Sequence, residues 1–176
     1  MNKQLFALCG LAGSGKSTAA KIINEMIPDS TIVSFAKPLK DICHIAYGWA
    51  GIQRAEYYEQ NPKHKNVVNR ILKVTPRQLW IAMGTDFCRN RVHPDTWPNA
   101  LFHLYGDHPC LIIPDCRFKN EAEAVRKRGG KLIWIERDVP DVVDVNQLTP
   151  EMCDVVVENE GTVEELREKV RQLCAI

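Results

Sequence analysis

A glycine-rich run between Gly10 and Ser17 constrains the fold of this chain more than any other feature. It reads G-L-A-G-S-G-K-S and matches the pattern G-x-x-x-x-G-K-[S/T] at every fixed position. The apolar segment Gln4–Cys9 comes before it, and a helical pattern that Pro28 stops comes after it. The order of strand, glycine-rich turn and helix predicts a phosphate-binding loop at the end of a buried parallel strand.

The chemistry of a phosphate-binding loop accounts for the residue types in this run. Glycines let the main chain turn tightly enough for successive N–H groups to point at one phosphate, and the following helix presents its free N–H groups to the same place. Lys16 is expected to reach the β- and γ-phosphates, and Ser17 to offer its hydroxyl to Mg²⁺. The loop residues predicted to bind the nucleotide are Gly10, Gly13, Ser14, Gly15, Lys16 and Ser17.

The rest of the chain alternates apolar segments with helical patterns. Four further strands are predicted, at residues 31–35, 110–113, 131–135 and 153–157. A helix is predicted at residues 120–128, before a stop at Gly129 and Gly130, and a capping box at residues 162–165 opens the last helix. The apolar face of that last helix is predicted to comprise Val163, Leu166, Val170 and Leu173. This alternation predicts an α/β fold with a five-stranded, mainly parallel sheet.

Residues 36–109 interrupt the alternation. They contain no convincing strand, and helices are predicted at residues 38–47, 76–91 and 97–105, the second of which starts with a capping box at Thr75 and Gln78. Ligands of open α/β sheets bind outside the carboxyl ends of the strands. This insertion is therefore expected to bind the molecule that accepts a phosphoryl group from the nucleotide, called the acceptor below. The chain is therefore predicted to be one domain, residues 1–176, with a helical insertion and a short lid-like segment at residues 138–152.

An aspartate follows the apolar segment at residues 110–113. In phosphate-loop proteins an aspartate at the end of a neighbouring strand holds Mg²⁺, which makes Asp115 the second predicted magnesium ligand beside Ser17. Arg117 lies two residues further on and is expected on the same side of the extended chain, where a cation would stabilise charge on the transferring phosphoryl group. The predicted catalytic residues are thus Lys16, Asp115 and Arg117. The alternative for Asp115 and Arg117 is an ion pair that serves only the structure.

The insertion combines basic and aromatic side chains. They are Lys37, Lys40, Arg77, Arg89, Arg91, Trp80, Phe87 and Trp97. Arginine suits bidentate binding of a phosphate, but for each charged residue a solvated surface position is the alternative. Trp80 and Phe87 lie seven residues apart and are predicted to be core residues. Arg89 and Arg91 do not share a helical face, so one phosphate contacts both only if the helix ends between them.

Five segments spread over most of the chain follow the pattern of a known family. They are GLAGSGKST, SFAKPLK, TPRQLWIAMGTDFCRNRVHPDTW, PDCRFKNEAEAVRKRGGKLIWIERD and DVVVENEGT. Together they resemble the bacteriophage deoxynucleoside monophosphate kinase family. The phosphate loop is common to many families, whereas the G-T-D…R and D-x-R-F-x-N-E stretches are more specific. The resemblance implies a phosphate-loop NTPase fold of three layers, of the nucleoside monophosphate kinase type, with strand order 2-3-1-4-5.

The resemblance also implies a reaction and a set of site residues. The reaction is transfer of the γ-phosphoryl group of ATP to a deoxynucleoside monophosphate, with ATP and Mg²⁺ as cofactors. Thr18 joins the loop residues, and Arg137, after the fourth strand, is placed near the adenine of ATP. The residues that the resemblance places around the acceptor are Lys37, Arg77, Asp86, Arg89, Trp97, Arg117 and Glu121. The cation that would close over the transferring phosphate is left open among Arg117, Arg126, Arg128 and Arg137.

Other functions are compatible with the same motifs, and composition bears on the partners. A kinase for dephospho-coenzyme A or phosphomevalonate, a nucleotide-dependent switch without an acceptor, and a kinase for polynucleotide ends stay open as alternatives.

A net charge of +1 argues against nucleic acid and membrane surfaces as partners, and no apolar stretch approaches the roughly 20 residues of a membrane span. Seven cysteines without C-x-x-C spacing indicate reduced thiols and a cytoplasmic protein, in the host cytoplasm if the chain is phage-encoded. The small-molecule acceptor is the expected partner, and a homodimer is left open.

Overall fold

The structure, a computed structural model, describes residues 3–139 and 147–174. The chain divides into two compact units. The sheet unit comprises Met1–Ser34 and Tyr105–Ile176, and the helical unit comprises Phe35–Leu104. The helical unit corresponds to most of the predicted insertion at residues 36–109. The structure describes every residue of that insertion, and none of them belongs to a strand.

The sheet unit contains one five-stranded sheet. In chain order the strands are β1 (Gln4–Cys9), β2 (Ser30–Ile32), β3 (Cys110–Ile113), β4 (Lys131–Glu136) and β5 (Val155–Glu158). Their spatial order is β2-β3-β1-β4-β5, and all four pairings are parallel. The predicted fold class and the predicted strand order 2-3-1-4-5 are confirmed. In this order β1, which leads into the glycine-rich loop, is the central strand, between β3 and β4.

The described residues form seven α-helices. They are α1 (Lys16–Met26), α2 (Lys37–Tyr47), α3 (Ala55–Gln60), α4 (Pro76–Ile81), α5 (Thr96–Tyr105), α6 (Lys119–Arg126) and α7 (Val163–Cys174). A π-helix, Ala82–Val92, continues α4, and short 3₁₀ turns lie at Gly48–Ala50, Pro62–Asn66 and Pro150–Met152. Helix α3 and the 3₁₀ turns were not predicted from the sequence.

Helices cover both faces of the sheet. Helices α1 and α7 pack against each other and against the face that carries Phe6 and Leu8 of β1. Helix α6 packs against β1 and β4, and the chain after it approaches Leu5, which points to the opposite face of β1. The main core therefore lies between the sheet and the α1–α7 pair. Its buried members are Phe6, Leu8, Ala19, Ala20, Ile22, Ile23, Cys110, Ile112, Ile133, Ile135, Val157, Leu166 and Val170.

Two strand predictions were misplaced at their ends. The predicted strand at residues 31–35 is Ser30–Ile32, because β3, with which it pairs, ends at Ile113, and the Val33 N–H donates to the Ile112 carbonyl at the end of this pairing. The predicted strand at residues 153–157 is Val155–Glu158, since its pairing with β4 begins only at Val155, opposite Ile133.

The helix ends follow the sequence signals closely. The predicted helix at residues 120–128 is Lys119–Arg126, and Gly129 adopts a positive φ of 72° while the Gly130 N–H donates to the Val125 carbonyl at 3.1 Å. The capping box before α7 is present, with Thr162 and Glu165 bonding each other's main chain at 2.9 and 3.2 Å. Val163, predicted on the apolar face, is instead half exposed, because it is the first residue of the helix and precedes the turns that cover the core.

The helical unit has a core of its own. Its buried members are Leu39, Cys43, Ile52, Leu79 and Trp97, and Trp80 packs partly buried against them. The predicted capping box at Thr75 and Gln78 is present at the start of α4. Phe87, predicted to be a core residue, is 51% exposed on the π-helix, so that prediction is wrong for Phe87. The predicted helix at residues 76–91 keeps its span, but its second part has π-helical hydrogen bonds, which shift the side chains from the positions of a regular α-helix.

Trp97 ties α5 to the π-helix through a buried hydrogen bond. It is 4% exposed, and its indole N–H donates to the Gly84 carbonyl at 2.9 Å. Trp97→Phe would leave that carbonyl without its donor and a gap where the larger ring lay. We expect it to lower the free energy of unfolding by about 2–4 kcal/mol.

Trp49→Phe is the matched control for this prediction. Trp49 also donates its indole N–H to a carbonyl, that of Ala46, but it is 72% exposed, so water can replace the bond. Urea titration of both variants measures the difference. Equal losses of stability would show that the buried bond contributes nothing.

Candidate active site

The glycine-rich loop has the tight main-chain path that its sequence predicts. Gly10, Gly13 and Gly15 have φ values of 131°, 87° and 102°, a region that other residues rarely adopt. A β-carbon on Gly10 would also collide with the carbonyl oxygen of Ile135 in β4. Glycine at position 10 is thus required both by the backbone conformation and by the close approach of the neighbouring strand.

Lys16 lies across the loop that precedes it. Its side chain is buried, and its ammonium group donates to the carbonyls of Gly10 at 2.8 Å and Leu11 at 2.6 Å. These bonds hold a positive charge directly against the loop. Lys16 is also the first residue of α1, and Gly15 caps that helix without a side-chain hydrogen bond.

The first turn of α1 completes the loop. Ser17 is exposed and Thr18 is half-buried. No side chain caps this turn, and the positive end of the helix dipole lies at the loop, where it would stabilise an anion. The loop and this turn together supply amides, one ammonium group and one hydroxyl, which is the donor set that a polyphosphate requires.

Asn159 holds the loop from behind, a role that the sequence did not reveal. It is 6% exposed, and its side-chain N–H donates to the Ser14 carbonyl at 2.7 Å. Its own main-chain N–H donates to the Glu136 carbonyl at 2.7 Å, which fixes Asn159 at the end of the β4–β5 pair. A β-carbon on Gly15 would collide with this side chain. The available signal was an amide residue immediately after the apolar strand β5.

Ser14 is fully enclosed by these contacts. Its side chain has no exposed surface, and its hydroxyl has no hydrogen-bond partner among the described residues. Buried hydroxyl groups usually have a partner, so this one marks a position where the loop is completed by a group other than the protein. The loop therefore fits a bound polyphosphate better than it fits a purely structural turn.

Asp115 and Arg117 follow the strand next to the loop. Strand β3 pairs in parallel with β1 up to Ala7 and Ile113, so the residues after β3 leave the same edge of the sheet as the loop after β1. Both Asp115 and Arg117 are half-buried. The predicted placement of an acidic and a basic residue at the loop's edge of the sheet agrees with this topology.

Glu121 positions the main chain of Arg117. Its carboxylate is almost fully buried and accepts the N–H groups of Arg117 at 2.8 Å and Phe118 at 3.1 Å, at the start of α6. The Arg117 carbonyl accepts the N–H of Gln147 at 2.8 Å. The observed contacts of Glu121 are thus internal, and its predicted contact with an acceptor stays a prediction.

The thiols beside this site are neutral. A hydrogen bond from Cys116 raises the pKa of the Cys9 thiol, and burial raises it further. The hydrogen bond with Cys9 lowers the pKa of Cys116, but burial and the nearby carboxylates of Glu121 and Asp115 outweigh it, so the pKa of Cys116 is raised. Burial raises the pKa of Cys43, in the helical unit, to about 11. These cysteines therefore act as small apolar side chains and bring no thiolate charge to the loop.

The four arginines named as candidates for the cation that closes over the transferring phosphate lie at two opposite edges of the sheet. Arg126 donates to the Met152 carbonyl and lies 3.5 Å from Asp154, which itself binds the Leu132 N–H at the start of β4. Arg128 donates to the Ala124 carbonyl of α6. Both therefore belong to the amino edge of the sheet, opposite the loop. Arg117 and the exposed Arg137, which follow β3 and β4, are the two at the carboxyl edge.

The predicted acceptor residues of the helical unit have varied surroundings. Lys37 pairs with Asp41 at 2.9 Å and Glu56 at 3.3 Å, and Trp97 is buried in the core described above. The exposed residues are Arg77 on α4 and Asp86 on the π-helix, while Arg89 is half-buried. The π-helix continues through residues 89 and 91, so the two arginines do not face one phosphate together. A direct role for these residues in binding stays a prediction.

Part of the predicted lid-like segment, at residues 140–146, lies outside the described residues. Within the part of the chain that the structure does describe, no three histidine, cysteine, aspartate or glutamate side chains are grouped so as to bind a metal ion. The same residues include no helix both long enough and apolar enough to span a membrane.

Comparisons with known proteins agree on a family and a fold. Residues 49–170 match the family described as "Deoxynucleotide monophosphate kinase". The chain is 28% identical over 184 residues, covering 94% of this chain and 93% of the relative, to an Acanthamoeba polyphaga mimivirus protein named "Putative deoxynucleotide monophosphate kinase".

Solved structures share the architecture at low identity. Shikimate kinase from Aquifex aeolicus superposes with a TM-score of 0.56 at 12% identity, over 97% of this chain and 96% of that one. TT1252 from Thermus thermophilus superposes with a TM-score of 0.56 at 14% identity, over 99% and 98%. These two structures show the fold alone.

The Asn159 contact yields a binding prediction. In Asn159→Ala the Ser14 carbonyl loses a buried donor, and the loop is free to leave its narrow path. We expect affinity for ATP, measured by calorimetric titration, to fall roughly tenfold, in line with one buried hydrogen bond. Asn99→Ala, at an exposed position in α5, is the control and should bind as the unmodified chain does. Unchanged ATP affinity in a folded Asn159→Ala chain would contradict a role for this residue in shaping the loop.

Proposed function

This chain belongs to the deoxynucleotide monophosphate kinase family, and we propose from that premise that it transfers the γ-phosphoryl group of ATP to a deoxynucleoside monophosphate. The products are ADP and the deoxynucleoside diphosphate. The single observation that supports this most is the loop itself, with Lys16 held over its carbonyls at the carboxyl edge of a parallel sheet. A glycine-rich loop with a lysine and a helix start at this edge of the sheet is suited to binding a polyphosphate.

The loop residues bind and orient the donor in this proposal. Main-chain N–H groups of residues 13–18 surround the β-phosphate, and Lys16 exchanges its loop carbonyls for the β- and γ-phosphate oxygens. Arg137, exposed at the end of β4, lies against the adenine end of ATP. Holding the triphosphate in one extended geometry supplies much of the rate enhancement, because phosphoryl transfer depends mainly on positioning and charge.

Two side-chain oxygens fit a magnesium ion. Ser17 and Asp115 offer a hydroxyl and a carboxylate at the same edge of the sheet, and Mg²⁺ prefers oxygen ligands of these kinds. Magnesium bound there would supply charge neutralisation at the β- and γ-phosphates. The sparse protein ligand set suits an ion that keeps most of its waters.

The transfer step needs no strong general base. An oxygen of the acceptor phosphate, already ionised at neutral pH, forms a bond to the γ-phosphorus while the bond from that phosphorus to the β–γ bridging oxygen breaks, and ADP leaves with the electron pair. Arg117 donates to the phosphoryl oxygens as their charge redistributes, and Glu121 keeps its main chain in place. These roles place Lys16, Asp115 and Arg117 in the catalytic machinery.

The residues proposed to bind the acceptor are those that the family resemblance indicates. Lys37, Arg77, Asp86 and Arg89 are proposed to surround it, together with Arg117. Trp97 is proposed to contribute through packing, because it is buried and holds the π-helix that carries Asp86 and Arg89.

A coupled assay of ADP release tests the proposed function. It is run with ATP and each of the deoxynucleoside and ribonucleoside monophosphates in turn, against a reaction without an acceptor. At least one deoxynucleoside monophosphate should raise ADP release far above the acceptor-free rate, because transfer requires it. ADP release that is equal with and without every acceptor would favour a switch, and a response to non-nucleotide acceptors alone would favour another small-molecule kinase.

Lys16→Ala tests the role of the loop lysine. We expect kcat to fall by a factor of roughly 100–1,000 or more, since one charged donor to the transferring group is lost. Lys21→Ala is the control, because Lys21 is an exposed lysine on the same helix. Thermal melting confirms that both variants fold. Near-normal turnover of a folded Lys16→Ala chain would contradict the assignment of the loop.

A further inference from the structure

A polar cavity in the helical unit contains, besides Lys37, three charged side chains to which the proposed function assigns no role: Asp41, Arg54 and Glu56. It has a volume of about 250 Å³ and is lined by Lys37, Asp41, His44 and Ile45 of α2 and by Arg54 and Glu56 at the start of α3. Sites for whole small ligands usually measure roughly 300–1,000 Å³, so this cavity suits one ring system rather than an entire nucleotide.

The charges of the cavity balance. The Lys37 ammonium contacts the carboxylates of Asp41 at 2.9 Å and Glu56 at 3.3 Å, and Arg54 adds a second cation beside Glu56. The hydrogen bond to Asp41 raises the pKa of Lys37, so the lysine stays charged at neutral pH. A main-chain hydrogen bond lowers the pKa of Glu56, and Lys37 and Arg54 lower it further. Two cations therefore face two anions.

This balance disfavours a phosphate in the cavity. A phosphate dianion approaching Lys37 would meet two carboxylates that already hold the ammonium group, and like charges at such distances repel. A neutral group that both donates and accepts hydrogen bonds could instead form them with both kinds of charged side chain, because the cations donate and the carboxylates accept. Nucleobases are groups of that kind, and the exposed apolar surface of Ile45, which is 81% exposed, offers contact for a flat ring.

Guanine matches the available partners most completely. Its N1–H and N2–H₂ groups are adjacent donors that one carboxylate can accept together, and its O6 and N7 atoms are adjacent acceptors for a lysine or arginine. Adenine and cytosine lack the adjacent donor pair, and thymine has a single ring N–H. The pairing of carboxylates with cations in one small cavity thus favours guanine over the other three bases.

We propose that the cavity formed by Lys37, Asp41, Arg54 and Glu56 is the base-recognition subsite of the acceptor and favours guanine, so that Lys37 contacts the base rather than the phosphate. The proposal rests on the proposed function, because it names the part of the acceptor monophosphate that this surface would take. The two carboxylates are specificity-determining residues in it, with Asp41 and Glu56 accepting N–H groups of the base.

Asp41→Asn and Glu56→Gln test the proposal against all four deoxynucleoside monophosphates. The unmodified chain should give its highest kcat/KM with dGMP. Each variant should lower kcat/KM for dGMP about tenfold, mainly through KM, because one charged partner of a bidentate pair is replaced. The values for dAMP, dCMP and dTMP and the KM for ATP should change much less. Glu59→Gln, an exposed glutamate on the same helix α3, is the matched control and should change none of them.

Other outcomes would overturn the proposal in recognisable ways. A uniform gain with all four acceptors would mean that Lys37, once freed from its carboxylates, binds the phosphate. A uniform loss, or no change, would mean that the cavity does not read the base. Failure of the proposed function itself looks different, because the unmodified chain would then release no ADP with any of the four. Circular dichroism monitors folding, and Glu56→Gln, at the more exposed of the two carboxylates, still carries the test should Asp41→Asn unfold.

Discussion

The structure depends on a main-chain turn that only glycine allows, between the central strand of a parallel sheet and the helix that follows it. At Gly10 the φ angle is positive and the carbonyl of Ile135 in the neighbouring strand leaves no room for a β-carbon. The chain therefore reverses within a few residues, which brings the carbonyls of Gly10 and Leu11 within reach of the Lys16 ammonium. The position of the ammonium group, the start of α1 and the curvature of the loop all follow from this one turn.

The sheet topology extends the same constraint to residues far away in sequence. Because β1 lies between β3 and β4, the residues that follow these strands leave the sheet at the loop's edge. Asp115 and Arg117 come from one side and Arg137 from the other, while Asn159 at the end of β5 reaches back to the Ser14 carbonyl. Arg126 and Arg128 lie at the other edge of the sheet, where each donates to a main-chain carbonyl. Their contacts are therefore structural.

The sequence predicted features that depend on local chemistry. The loop, the capping boxes at Thr75 and Thr162 and the glycine stop after α6 were recognisable, because each rests on a few neighbouring residues. The order of the strands in the sheet depends on distant residues and was expected only from the family resemblance. The ends of β2 were not, since they depend on where the partner strand stops. Asn159 was missed as a loop contact because its partner lies 145 positions away, and Phe87 was misassigned because a π-helix displaces side chains from α-helical spacing.

Everything in the proposed function requires that the loop binds the triphosphate of ATP and aligns its γ-phosphorus. A crystal structure of the chain with Mg²⁺ and a non-hydrolysable ATP analogue tests it most directly. We expect the β-phosphate to be surrounded by the main-chain N–H groups of residues 13–18, with the Lys16 ammonium moved from the Gly10 and Leu11 carbonyls onto phosphate oxygens. An analogue bound elsewhere, with Lys16 still on those carbonyls, would contradict it.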